Sequence, residues 1–274
     1  MGIPSYADRM AGVSGSAVRE ILKLTQQPDM ISFGGGLPSA DSFPMADLKD
    51  ILHELTDNLT PGLLQYGETE GYMPLREEVV KLMATKDVNV TVDDVLITSG
   101  SQQGLDLVAK SFINPGDKII VESPTYLAAL QTFRMYGAEF IEAPVDADGV
   151  MAEELDKILA SEENVKLIYM IPSFQNPSGR TVSTERRQAI MEVVRKYDVV
   201  LIEDAPYEDL KYTDAVYPCM KSMDTTGQVL YFGSFSKVIT PGFRLGYSIA
   251  SEPILSRMII GKQTCDLNCS VFSQ

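Results

Sequence analysis

A single histidine, His53, is all that this 274-residue chain offers to histidine-based chemistry. Any Ser/His or Cys/His nucleophile system would have to run through it, yet its neighbours Leu52, Glu54 and Leu55 read as one face of an ordinary helix. Positive charge is scarce as well: 23 Lys and Arg against 38 Asp and Glu leave a formal net charge of -15. With a sequence pI near 4.5, nucleic acid is not an expected partner, because binding to a phosphate backbone begins with a basic surface. Cysteine is limited to Cys219, Cys265 and Cys269, an odd number that leaves one thiol over in any disulfide scheme. A chain of this size does not depend on covalent staples, so all three are expected to be reduced. Cys265 and Cys269, four apart, would share a helical face, but no nearby His or third Cys completes a zinc site, and two small buried residues is the plainer expectation. No metal is expected. No uninterrupted apolar run reaches membrane length, and Met1 to Met10 lack a basic segment followed by an apolar one. A cytoplasmic protein with no membrane partner is expected.

What the chain does have is 45% hydrophobic residues, enough for one large core or two modest ones. From about Val95 onward, short apolar runs alternate with amphipathic segments, which predicts an α/β fold with a mainly parallel, seven-stranded sheet flanked by helices. Strands are predicted over residues 95–98, 118–122, 139–143, 166–171, 199–203, 229–233 and 245–250. Helices are predicted over 102–112, 126–136, 152–161, 184–197 and 253–263, with two more over 45–58 and 74–86 flanking Gln65-Tyr66-Gly67. Residues 1–42 break the rhythm: a helical pattern over 16–25 precedes the stretch Ile31-Ser32-Phe33-Gly34-Gly35-Gly36-Leu37-Pro38. They are expected to form an N-terminal arm or part of a small domain, with 43–274 as the large domain.

Four strings with chemical potential fall at predicted strand ends, where ligands gather in open α/β sheets. Ser234-Phe235-Ser236-Lys237 places a lysine at a strand exit, followed by Thr240-Pro241-Gly242-Phe243-Arg244-Leu245-Gly246. A lysine whose pKa is depressed forms an imine with an aldehyde, and two hydroxyls with an arginine can hold a phosphate. Alone, the string would also suit a surface lysine on a loop. Thr98-Ser99-Gly100-Ser101-Gln102-Gln103-Gly104 opens a helix directly after a strand, which gives either free amides for a phosphate or a plain N-cap with a tight turn. Val200-Leu201-Ile202-Glu203-Asp204-Ala205-Pro206-Tyr207 ends an apolar strand in acids. Asp204 could keep a pyridine nitrogen protonated and Tyr207 could bond a phenolic oxygen, or the acid could cap the next element. Ile171-Pro172-Ser173-Phe174-Gln175-Asn176-Pro177-Ser178-Gly179 could aim the Asn176 amide at the same oxygen, or could simply mark turns.

Together, Asn176-Pro177-Ser178-Gly179, Asp204-Ala205-Pro206-Tyr207, Ser234-Phe235-Ser236-Lys237 and Gly242-Phe243-Arg244-Leu245-Gly246 resemble the motifs of the fold-type I, pyridoxal-5'-phosphate-dependent aminotransferases of class I/II. The resemblance runs through essentially the whole chain. It implies pyridoxal 5'-phosphate as cofactor, bound to Lys237 as a Schiff base. Lys237 then moves the proton between the substrate α-carbon and the cofactor. By the same resemblance, Asp204 pairs with the ring nitrogen, and Asn176 and Tyr207 hold the phenolic oxygen. Gly100, Ser101, Gln102, Ser234, Ser236 and Arg244 surround the phosphate, and Tyr126 stacks on the ring, unless it only packs in the core. Tyr66 resembles the tyrosine that reaches the phosphate of a neighbouring subunit, which implies a homodimer. The stretches Gly34-Gly35-Gly36-Leu37-Pro38, Gln65-Tyr66-Gly67 and Lys262-Gln263-Thr264-Cys265-Asp266-Leu267-Asn268 look most like the branch of 2-aminoadipate, kynurenine and broad aromatic or branched-chain aminotransferases.

The implied reaction moves an amino group between an L-amino acid and a 2-oxo acid, with 2-oxoglutarate the expected acceptor. A lyase or decarboxylase of the same fold, or a cofactor-binding module without turnover, are the alternatives. Family members continue past the position of Gln274 into a segment that completes the small domain and carries an arginine for the substrate carboxylate. That segment is expected to be missing here, which leaves turnover, unlike cofactor binding, without one of its groups.

Overall fold

A computed structural model of the chain describes residues 4–10, 15, 29–31 and 34–274. The helical pattern over 16–25, and Ser32 and Phe33 of the Gly-rich stretch, lie outside the described residues. Seven strands form one sheet: β1 (Val95–Thr98), β2 (Lys118–Glu122), β3 (Glu139–Ala143), β4 (Val165–Met170), β5 (Val200–Asp204), β6 (Val229–Ser234) and β7 (Gly246–Ile249). Their spatial order is β1-β7-β6-β5-β4-β2-β3. The neighbours β6 and β5, β5 and β4, β4 and β2, and β2 and β3 run parallel, and β7 lies antiparallel between β1 and β6. Helices α1 (Met45–Asp57), α2 (Met73–Ala84), α3 (Ser101–Phe112), α4 (Leu127–Arg134), α5 (Ala152–Ser161), α6 (Thr184–Val194) and α7 (Glu252–Gln263) accompany the sheet.

Central parallel strands are covered on both faces, which is why they read as continuous apolar runs such as Val200-Leu201-Ile202. On one face Leu96, Val121, Tyr169, Ile202 and Phe232 pack with Leu105 and Val108 of α3, Phe133 of α4 and Leu255 of α7. On the other, Ile120, Ile168 and Leu201 pack with Leu155 of α5 and Ile190 of α6, while Ile97, Tyr231 and Tyr247 pack with Val79 and Met83 of α2. Strands β1 to β6 share one direction, so their carboxyl ends, together with the first residue of β7, lie along a single edge: Thr98 and Ser234 both pair with Gly246.

Two expectations need correction, and one element is added. The helix predicted over 126–136 stops at Arg134, because the chain turns through Gly137 at φ 79°. Cys265 and Cys269 do not share a helix, since α7 ends at Gln263; Cys265 is exposed and only Cys269 is buried. A two-residue ribbon, Val145–Asp146 against Gly149–Val150, was not foreseen. No helix among the described residues is long and apolar enough to cross a membrane.

Candidate functional site

The shared strand edge brings the start of α3 under the turn that leads into β7. Gly100 precedes α3 with φ 72°, and a Cβ there would stand 2.7 Å from Nη2 of Arg244. Arg244 is itself left-handed, at φ 54° and ψ 42°, and closes the short turn Pro241–Phe243, whose start is capped by the Thr240 side chain. A Cβ on Gly246 would meet the Gly233 carbonyl oxygen at 2.8 Å and the Ser101 nitrogen at 2.9 Å. The guanidinium, a sheet edge and a helix N-terminus therefore meet without side chains between them. The first amides of a helix lack intrahelical acceptors, so a cation beside such amides makes an anion site.

The side chain of Gln102 donates to Thr132 Oγ1 at 2.6 Å and ties α3 to α4, while its backbone N–H, in the first turn of the helix, is a group it can offer an anion. Gln103 braces the loop from below: its Oε1 accepts from the Ser99 N–H at 2.8 Å and from the Lys262 Nζ at 2.8 Å. Lys262 is fully buried and also contacts Asp266 Oδ1 at 2.9 Å.

At the end of β5 the two-residue period of a strand sorts the two acids. Glu203 faces α6 and the turn Met220–Met223: it accepts from the Met220 and Lys221 N–H groups at 2.8 Å each, and Arg187 of α6 lies at 3.9 Å; burial pushes it up to about 7. Asp204 faces the other way. Its Oδ2 accepts from the Tyr169 hydroxyl at 2.7 Å, whereas its Oδ1 is buried with no partner among the described residues. Burial pushes this carboxyl up to about 6, against the lowering effect of the Tyr169 bond.

Three residues beyond β6, Lys237 is half-buried, and burial lowers its amine from the ordinary lysine value. Its Nζ donates to the Gly36 carbonyl at 3.2 Å, which places part of the Gly-rich stretch over the lysine. Ser234 Oγ accepts from the Ser236 N–H at 3.2 Å. Asn176 Nδ2 donates to the Tyr207 hydroxyl oxygen at 3.2 Å; burial raises the Tyr207 phenol and this donation opposes it. Tyr126 caps the start of α4, half-buried against the core. Tyr66 stands apart: it is 79% exposed and its hydroxyl has no partner among the described residues.

Sequence reasoning missed the supports. Glu122, at the end of β2, accepts from the Ile171 N–H at 2.9 Å and from Gln175 Nε2 at 3.4 Å, and Gln175 Nε2 also donates to the Pro124 carbonyl at 2.8 Å. This joins the loop of Tyr126 to the loop of Asn176. Burial pushes Glu122 up to about 7. The available signal was a charged residue closing an apolar strand. Tyr169 gave none, because a tyrosine within an apolar strand reads as core.

The chain is 40% identical to aromatic-amino-acid aminotransferase 1 of Thermococcus litoralis over 98% of its own residues and 66% of that protein. It is 36% identical to 2-aminoadipate transaminase of Thermus thermophilus, over 96% of this chain and 65% of that protein. The fold is similar to the crystal structure of Pyrococcus horikoshii kynurenine aminotransferase in complex with PMP, with a TM-score of 0.91 and 40% identity, across 98% of this chain and 67% of that one. The chain thus spans just under two thirds of the curated relatives it matches. The family model for aminotransferase class I and II matches residues 28–270, a span that includes Gly100 beside Arg244, the buried acid Asp204 and Lys237, and the chain belongs to that family.

Proposed function

We propose that this chain is the cofactor-binding part of a pyridoxal-5'-phosphate-dependent aminotransferase that exchanges an amino group between an L-amino acid and a 2-oxo acid, 2-oxoglutarate being the expected acceptor. The observation that carries the reading is the carboxyl of Asp204, buried at a strand end with Oδ1 unpartnered among the described residues. A buried unpaired carboxylate oxygen is costly unless a ligand satisfies it, and a protonated ring nitrogen is such a ligand. The residues present also fit the cofactor's other end, since the cradle that a Cβ on Gly100 would fill lies under Arg244.

When bound, pyridoxal 5'-phosphate supplies an aldehyde for amine chemistry and an electron-withdrawing ring. Lys237 is the amine for that aldehyde, and burial, by lowering its pKa, raises the share of the neutral, nucleophilic form. The same amine serves as the base that takes and returns the proton at the substrate α-carbon. Asp204 holds positive charge on the ring nitrogen, while Asn176 and Tyr207 hold the phenolic oxygen. Arg244, Gly100, Ser101, Gln102, Ser234 and Ser236 bind the phosphate, Gln102 through its backbone N–H. Tyr126 covers the ring. Tyr66, exposed within one chain, is assigned to the phosphate of a second copy in a homodimer. Residues 43–274 are assigned to the large domain and 1–42 to an arm or part of a small one, in a cytoplasmic protein.

An absorption spectrum of the purified protein with pyridoxal 5'-phosphate, before and after L-glutamate, tests this beside Lys237→Ala. The expected outcome is a band that requires Lys237 and gives way to the pyridoxamine form with glutamate. A band that glutamate leaves unchanged removes glutamate as the donor but keeps cofactor binding. A spectrum that does not depend on Lys237 overturns the proposal.

A further inference from the structure

Asp204 holds its place through one side-chain contact. Tyr169 lies on β4, beside Ile202 of β5 in the parallel register, so its ring projects to the same face as Asp204 two residues further along. The ring is fully buried, and Phe133 of α4 meets it edge-on, with centroids 5.7 Å apart and planes at 75°. Its hydroxyl reaches Asp204 Oδ2 at 2.7 Å, and this is the only hydrogen bond to the carboxylate among the described residues. A phenol held by packing on all sides is a rigid donor, so it determines which carboxylate oxygen is already engaged.

We propose that Tyr169 is a positioning residue for the cofactor's ring nitrogen: by occupying Oδ2 of Asp204, it orients the carboxylate and leaves Oδ1 as the acceptor for the ring N–H. This rests on the assignment of Asp204 proposed above. The chemistry follows from what a hydrogen bond does to an anion. Donation by the phenol stabilises the ionised carboxylate, and an ionised carboxylate favours a charged N–H on the ring over a neutral nitrogen facing a carboxylic acid. The rise of Asp204 to about 6 caused by burial shows how far the carboxyl already leans toward its neutral form. Removing the phenol moves it further, and the proton shared between ring and carboxyl shifts toward oxygen. A neutral ring is the poorer electron acceptor, so the hydroxyl acts on the ring's chemistry without touching it.

The test compares wild type, Tyr169→Phe and Asp204→Asn, each loaded with pyridoxal 5'-phosphate labelled at the ring nitrogen. Three quantities are read: the nitrogen NMR shift, the cofactor affinity, and the far-ultraviolet circular dichroism of the apoprotein. Wild type is expected to show a protonated-ring shift and Asp204→Asn an unprotonated one, which tests the assignment of Asp204 by itself. Tyr169→Phe is expected to fold as wild type, to show a shift between those two, and to lose about tenfold in affinity, the scale of one hydrogen bond to a charged group. A wild-type nitrogen shift in Tyr169→Phe overturns the proposal, whether or not affinity falls, because a packing role alone would leave the ring protonated. If wild type and Asp204→Asn give the same shift, the assignment of Asp204 fails and the proposal fails with it. Should Tyr169→Phe not fold, 4-aminophenylalanine placed at position 169 is a weaker donor of nearly the same shape. It is expected to move the shift toward that of the unprotonated ring, and an unchanged shift there likewise overturns the proposal.

Discussion

The backbone has positive φ both at Gly100 (72°) and at Arg244 (54°), and these two residues face each other across the cradle. Only glycine takes such a conformation without strain, and Arg244 does so because the turn before it and the strand after it fix its ends. Gly100→Ala therefore combines a strained φ with a methyl 2.7 Å from the guanidinium. We expect a stability loss of about 1–3 kcal/mol in thermal melts and a cofactor affinity lowered by more than tenfold in a pyridoxal-5'-phosphate titration. Affinity equal to wild type would mean that the phosphate is not bound here. At this scale, the residues that carry a local signature were legible: a lysine after two serines, an asparagine before a proline, an arginine between glycines. Tyr169 and Glu122 were not, because the role of each is set by a loop or strand that is distant in sequence and adjacent only through sheet pairing. Two acids close β5, and the alternation of faces along the strand supplies the physical reason for Asp204 over Glu203 that the sequence left open.

Helix α3 carries the cradle, and what seats it on the sheet is an absence of side chain at Gly104. A Cβ there would stand 2.7 Å from the Phe232 ring, whose residue is fully buried on β6. In a free helix, glycine to alanine gains about 1 kcal/mol, but overpacking a core costs roughly 1–3 kcal/mol. The packing effect wins, so Gly104→Ala is expected to lower the melting midpoint by roughly 2–4 °C. A raised midpoint would show that α3 can shift outward freely. Strand positions were legible to within a residue or so because a buried parallel strand must be apolar along its whole length. Helix ends were less so: the pattern over 184–197 continues past the last helical residue, Val194, because Tyr197 turns aside to donate to Asp156 Oδ1 at 2.8 Å. The ribbon at Val145–Asp146 went unseen because two residues are too few to show a period, although Asp148-Gly149 carried a turn signal.

Among the described residues, three carboxyls are pushed up by burial, Glu122 and Glu203 to about 7 and Asp204 to about 6. A folded-state pKa above the unfolded one means that the folded apoprotein holds more protons between the two values, so stability falls as pH rises through that window. Groups lowered below their ordinary value, such as Asp146, Asp156 and Asp224, titrate in more acid solution and do not oppose this. We expect the apoprotein to be more stable at about pH 6 than at about pH 8, by roughly 1 kcal/mol for each of the two glutamates and read as a higher melting temperature at pH 6, with Glu122→Gln removing its share. Identical melting at the two pH values, or a rise toward pH 8, would contradict the buried state of these groups.

The insertion of β7 between β1 and β6 has a consequence in time. Val95 pairs with Ile249, and Thr98 pairs with Gly246, so the first strand of the sheet gains its neighbour only after the last strand has been synthesised. Pairing between segments so distant in sequence is slow, because a long loop must close first. The same event carries Arg244 to Gly100 and completes the cradle. On the site assignment proposed above, a nascent chain that has not yet docked β7 presents Lys237 without a paired seat for the phosphate, so cofactor capture is expected to wait for that closure of the sheet.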